Sequence, residues 1–382
     1  MTISLSKKLI GAAGSAALIF SLSACGEAPE ATPTTDPTGG TTSDAAPGDV
    51  IEGFKACMVS DEGGFDDKSF NEAGHRGLTA AATELGIETT FTESQSATDY
   101  ASNLDGLVAD GCNLIISVGY LLSAPTVEAA LANPDVHFAI IDDWADNTGP
   151  DGGSDGETDA PNIKPLVFDT AQAAFLGGYA AASYSESGTV GTFGGMKIPP
   201  VTIFMDGFVK GVEHFNAEKG AEVNVVGWDV ASQDGLFTEG FAANDTAKVM
   251  AQGLLDQGAD VLLPVGGPIY QSAAQAIRDT GEGLTLMGVD SDVAISDPSV
   301  ADLLLVSVQK AIDVAVHEAV VEAAVGNFDV TPFVGTLENE GVTLSSFHDF
   351  EDQLDPELQA ELEAIAAGIV DGSIDASSVS SP

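Results

Sequence analysis

The stretch Phe54-Lys55-Ala56-Cys57-Met58-Val59-Ser60-Asp61-Glu62-Gly63-Gly64-Phe65-Asp66-Asp67-Lys68-Ser69-Phe70-Asn71 decides how the rest of the chain is read. An apolar run over residues 54–60 ends on Asp61, and Gly63 and Gly64 let the chain turn tightly. From Ser69 the composition is helical through residue 85. Phe70, Ala73, Leu78, Ala81 and Leu85 fall close to a helical period. A strand that ends in a glycine turn and opens a helix leaves the free N–H groups of the first helical turn at the strand end.

Outward from this unit the alternation repeats. Strand-like runs fall at residues 88–93, 114–118, 136–141 and 163–168, with helix-like segments at 100–109 and 126–131. The pattern restarts with helices at 171–184, 201–215, 246–257 and 270–278. Strands are expected at 190–193, 223–228, 261–265, 284–289 and 303–308, and helices at 312–324 and 356–367. Such alternation predicts an α/β fold, with parallel sheets covered by helices on both faces. Two lobes of similar construction suit the length better than one large sheet. The first lobe is expected at 50–168, with 307–326 returning to it, and the second at 169–306. A C-terminal crossover strand and helix then occupy 327–382. Both lobes would present their strand ends to a shared crevice.

The chain has 382 residues, with 12 Lys and Arg against 59 Asp and Glu, for a formal net charge of −47. Charged residues are only 19% of the total, so the imbalance comes from scarce bases. A hydrophobic fraction of 44% is enough to bury a large core. No run of bases exceeds Lys7-Lys8, which argues against nucleic acid and against broad attraction to anionic membrane surfaces. The acidity is expected to keep an exported domain soluble.

Residues 1–24 read as an export signal. Lys7 and Lys8 precede an apolar run at 9–22 that is too short and wrongly flanked for a lasting membrane span. Leu22-Ser23-Ala24-Cys25 resembles the bacterial lipobox, which implies cleavage before Cys25 and acylation of that residue. Ordinary secretion with an incidental cysteine is the alternative. Residues 25–49, rich in Thr, Pro, Gly, Asp and Ala, read as a disordered tether that holds the domain at the extracytoplasmic face of the cell membrane. An exported chain can oxidise its cysteines. Cys57 lies in a predicted strand and Cys112 just before another. These strands are neighbours in a lobe of order 2-1-3, so the pair is a disulfide candidate. Two buried free thiols are the alternative.

Candidate chemistry collects at strand ends. Asp61 through Asn71 is the densest cluster, Asp142 follows the strand at 136–141, Gly266-Gly267 follow that at 261–265, and Asp290-Ser291-Asp292 follow that at 284–289. Carboxylates and glycines on convergent strand ends suggest a polyol or sugar site, because a carboxylate accepts paired hydroxyls. The plainer reading is that Ser69 or Asp67 caps the helix and Phe70 is core. No Ser-His-Asp arrangement stands out among His75, His137, His214, His317 and His348, so no catalytic residue is assigned. The spacing of Asp151, Asp155 and Glu157 does not fit a calcium loop, and no metal or cofactor is assigned either.

Residues 59–71 resemble the N-terminal signature of the basic membrane protein family, lipoprotein substrate-binding proteins of ABC transporters that include purine nucleoside receptors. Further matches follow in the family's order: Phe175-Leu176-Gly177-Gly178-Tyr179, Gly194-Gly195-Met196 with Ile198-Pro199, and Gly207-Phe208 with Gly211. Asp256-Gln257-Gly258-Ala259-Asp260-Val261, Pro264-Val265-Gly266-Gly267 and Gly288-Val289-Asp290-Ser291-Asp292 complete them. The resemblance spans about residues 54–326 and implies a type I periplasmic-binding-protein fold, two lobes joined by a hinge that close on a ligand. It implies a purine base held between two rings and a ribose held by carboxylates. Phe70 matches the first ring, with Asp61 and Asn71 as polar neighbours, and Asp142 matches the acid at the end of the fourth strand. Phe241 is the expected second ring and Phe237 its rival, because residues 233–245 depart from the family's pattern. Gly266, Asp290 and Lys310 match the remaining contacts. Two departures stand out: paired glutamates are absent at Phe168-Asp169-Thr170-Ala171-Gln172, and the stretch 143–162 is long and acidic.

The implied partners are a nucleoside, an ABC permease, and the membrane through a lipid anchor on Cys25; the implied state is a monomer. Riboflavin or another heterocycle with a polyol tail is the runner-up ligand. A surface signalling receptor could use the same domain. A nucleoside hydrolase is remote, because the calcium motif of those enzymes begins with an aspartate and carries a proline that Val59-Ser60-Asp61 and its sequel lack.

Overall fold

A computed structural model describes residues 51–147 and 156–382, which lie in one compact unit. The expected signal segment, Cys25, the tether up to residue 49 and residues 148–155 of the acidic stretch fall outside the described residues.

The opening motif folds as a strand, β1 (Lys55–Ser60), a turn, and a helix, α1 (Phe70–Leu85). Four more units follow: β2 (Glu88–Thr92) and α2 (Tyr100–Ala109), β3 (Leu114–Val118) and α3 (Ser123–Ala132), β4 (His137–Ile141), and β5 (Ile163–Phe168). β2, β1, β3, β4 and β5 pair in that order and in parallel. The central strands are apolar along their length because both faces are covered. Val59, Ile115 and Phe138 pack to one side of the sheet, and Met58, Ile116 and Ala139 to the other. Cys57 and Cys112 are disulfide-bonded, with 5.9 Å between Cα atoms, where β1 runs beside β3.

The second lobe repeats the plan. It begins with α4 (Thr170–Tyr184), β6 (Thr189–Gly194) and α5 (Pro199–Lys219), whose proline pair suits a first helical turn. β7 (Asn224–Val226) is shorter than the strand expected at 223–228. Gly227 turns the chain at φ 98° into a small hairpin, β8 (Trp228–Asp229) with β9 (Asp234–Gly235). α6 (Asp245–Leu255), β10 (Val261–Val265), α7 (Ile269–Thr280), β11 (Thr285–Asp290), α8 (Val293–Ser296) and β12 (Leu304–Lys310) follow. The sheet order is β7-β6-β10-β11-β12, again parallel.

β12 stays in the second sheet through Lys310, so the chain returns to the first lobe at Ala311, not at residue 307. There α9 (Ile312–Ala324) packs on α1. Two short strands lie in the crossover region and bracket a third crossing: β13 (Phe333–Gly335) extends the first sheet beside β5, and β14 (Val342–Leu344) runs antiparallel to β12 in the second. The crossings tie to one another. The Asp169 N–H donates to the Gly335 carbonyl at 2.8 Å and the Ala311 N–H to the Gly341 carbonyl at 2.9 Å. α10 (Leu358–Val370) packs on α4. No described helix is long and apolar enough to cross a membrane.

Candidate functional site

One cavity opens between the facing strand ends of the two lobes. Asp61, Phe70, Asn71, Asp142, Phe241, Gly266, Asp290 and Lys310 all line it. The first four come from the first lobe. Phe241, Gly266 and Asp290 come from the second, and Lys310 ends the strand that leads into the crossing at Ala311.

Asp142 directly follows β4 and Asp290 ends β11, strands that hold equivalent positions in the two sheets. Both have left-handed backbones, φ 64° and 68°, which is unusual for a residue with a side chain and clusters at functional positions. Lys310 lies between them. Its Nζ is 2.6 Å from Asp142 Oδ2 and 3.3 Å from Asp290 Oδ1, and all three side chains are almost fully shielded from solvent. Burial draws the ammonium down, but the two carboxylates overcome it and hold Lys310 above the ordinary lysine value. Its charge also faces the rings of Phe204 at 5.0 Å, Phe70 at 5.3 Å and Phe168 at 5.9 Å. Lys310 therefore clamps one carboxylate from each lobe.

Asp61 is buried, and its Oδ1 accepts from the Gly63 N–H at 3.0 Å and the Asn71 amide at 2.8 Å. Desolvation pushes its carboxyl up to about 6, against the pull of those hydrogen bonds. Asn71 Oδ1 has no hydrogen-bond partner although it is buried, so an acceptor next to the cavity is unsatisfied. Asp67 also lines the cavity. Its carboxylate accepts from the N–H groups of Ser69, Asn71 and Glu72 at 2.9–3.0 Å and thereby caps α1.

Phe70, the first residue of α1, and Phe241, in the loop before α6, border the cavity from opposite lobes. Two glycines seat the Phe241 ring. A Cβ on Gly195 would overlap the ring, and one on Gly266, at φ 135°, would lie 2.6 Å from Cδ1. Phe237 instead packs edge-on against Trp228, at 5.8 Å between centroids, outside the cavity lining. Tyr120 and Phe204 also line the cavity, and sequence reading did not single them out. Tyr120 follows the end of β3, the same kind of position as Asp142, so the strand-end rule reaches it. Phe204 lies inside α5 and carries no such signal. Among the described residues no group of three or more His, Cys, Asp or Glu is arranged to hold a metal ion.

Several known proteins are similar to this chain in sequence or in fold. Basic membrane protein A1 of Borrelia garinii subsp. bavariensis is 30% identical over 246 residues, 64% of this chain and 66% of that protein. The CD4+ T-cell-stimulating antigen of Listeria monocytogenes is 28% identical over 313 residues, 78% of this chain and 81% of that one. The matches to the first of these relatives span slightly less than two thirds of their length. A solved ABC transporter solute-binding protein from Aeropyrum pernix K1 superposes with a TM-score of 0.72 at 24% identity, covering 84% of this chain and 92% of that one. One from Conexibacter woesei reaches 0.61 at 20% identity, covering 84% and 98%. These structural likenesses establish the solute-binding-protein fold. The family model for PnrA-like ABC transporter substrate-binding proteins matches residues 54–371, and this chain belongs to that family.

Proposed function

We propose that the protein captures a purine nucleoside between its lobes and delivers it to an ABC permease, held at the membrane by a lipid on Cys25 and acting as a monomer. The observation that carries this reading is the pair Phe70 and Phe241, facing one cavity from opposite lobes with Asp61, Asp142 and Asp290 around them. A planar base stacks on aromatic faces, and carboxylates accept the hydroxyls of a ribose. The cavity borders hold more carboxylates than cations, and Lys310 is already paired twice. That balance favours an uncharged ligand over a phosphorylated one. A base bridging the two rings stabilises the closed form, since a ligand shifts such an equilibrium only through contacts that differ between its states.

Native mass spectrometry of freshly purified protein is expected to reveal a retained nucleoside. Calorimetric titration with inosine, guanosine and adenosine, with riboflavin as a comparison, then ranks the ligands. Phe70→Ala is expected to weaken nucleoside binding roughly 5- to 150-fold, the equivalent of losing about 1–3 kcal/mol of base stacking. Unchanged affinity in Phe70→Ala and Asp290→Asn would remove the basis for this reading.

A further inference from the structure

Ser69 occupies the N-cap position of α1 but makes no capping hydrogen bond. Asp67 has taken over that task. The Ser69 hydroxyl instead crosses to the other lobe, donating to the Val289 carbonyl at 2.9 Å and lying 3.2 Å from Asp290 Oδ2. Two serines of the second lobe reach back. Ser291 Oγ donates to the Ser69 carbonyl at 3.1 Å, and Ser296 Oγ donates to the Lys68 carbonyl at 2.6 Å. Lys68 and Asp290, on the two sides of this contact, both hold positive φ, 60° and 68°. The left-handed turn at Lys68 immediately precedes the carbonyl that accepts from the Ser296 hydroxyl.

We infer that Ser69, Ser291 and Ser296 are positioning residues that form a closure latch. They hold the lobes together and so set how long a ligand stays. The latch adjoins the site in sequence: Ser69 precedes Phe70 and Asn71, and Ser291 follows Asp290. Separating the lobes breaks these bonds and draws Phe70 away from Asp290 in one movement. The three principal acceptors are main-chain carbonyls, so the latch is independent of ligand chemistry. Its bonds join one lobe to the other, so losing one favours separation of the lobes and speeds release. The inference rests on the proposed closing of the lobes, not on the identity of the ligand.

The test uses the full chain with one dye on an exposed position of each lobe, read by single-molecule energy transfer without added ligand and again with inosine. Ser69→Ala, Ser291→Ala and Ser296→Ala are expected to raise the open-to-closed ratio roughly fivefold each, the usual yield of one such hydrogen bond. With inosine bound they raise the dissociation rate by a similar factor. Ser187→Ala removes a hydroxyl that bonds only within the second lobe, to Thr189, and leaves the distribution where it was. Ser296 is the least buried of the three and covers the case in which Ser69→Ala fails to fold. An unchanged distribution in the variants, or an equal shift in Ser187→Ala, overturns the latch. If inosine does not bind but the ligand-free distributions shift as stated, the nucleoside reading fails and the latch stands.

Discussion

Asp61 is an acid held against its own solvation. Burial raises its carboxyl from an ordinary value of 3.8 to about 6, so between those values the native protein takes up a proton that the unfolded chain does not. Stability from this residue therefore falls as pH rises through that window and stays low above it. Asp61→Asn retains an oxygen for the Gly63 N–H and the Asn71 amide, and removes the charge. It is expected to gain about 3 kcal/mol at neutral pH and nothing near pH 3.5. Denaturant midpoints of the two proteins compared across pH 3.5–8 check this; a difference independent of pH would count against it. The strand ends bring Asp61, Asp142 and Asp290 to one cavity, because a carboxylate beside a cleft is placed by the strand that precedes it. The task of Ser69 was not legible. A serine before a helix reads as a cap, and only the packing shows that Asp67 caps and Ser69 reaches the other lobe. The sequence favours Phe241 over Phe237 only through the resemblance, with no local signal of its own. The small residues that seat one ring, Gly195 and Gly266, are far from it along the chain.

Between elements, α4 and α5 approach each other backbone to backbone. A Cβ on Gly178 would overlap the Phe208 carbonyl, and one on Gly211 the Phe175 carbonyl. The matches at 175–179 and 207–211 thus include a backbone-to-backbone contact that no larger residue permits. Gly178→Ala is expected to cost about 1–3 kcal/mol as overpacking, with thermal unfolding as the readout. A neutral result would mean that the helices separate without loss. The long parallel strands were legible as buried apolar runs. β13 and β14 were not. Each has three residues, and both are defined by pairing with distant partners instead of by any period of their own. The return at Ala311 is hidden in the sequence for a related reason: nothing in the composition distinguishes a strand's last residues from the start of a crossing.

Across the whole molecule, bases are the scarce resource. Among the described residues every Lys and Arg except Lys197 pairs with a carboxylate, and the bases are far too few to neutralise most of the acids. Folding brings these like charges closer together, and salt screens them over about 10 Å at 0.1 M. The unfolding midpoint is therefore expected to rise by several degrees between ~10 mM and ~200 mM NaCl, as followed by circular dichroism. A flat or falling midpoint would contradict a charge-limited fold. The three crossings bear on a different process, the emergence of the chain from the ribosome. The first sheet lacks an edge strand until Phe333–Gly335 has appeared, and the second until Val342–Leu344. Neither lobe is a continuous piece of the sequence, so a nascent chain cannot finish one core and then begin the other. Both remain incomplete until nearly the whole polypeptide is out, a delay that suits a protein to crossing a membrane before it folds.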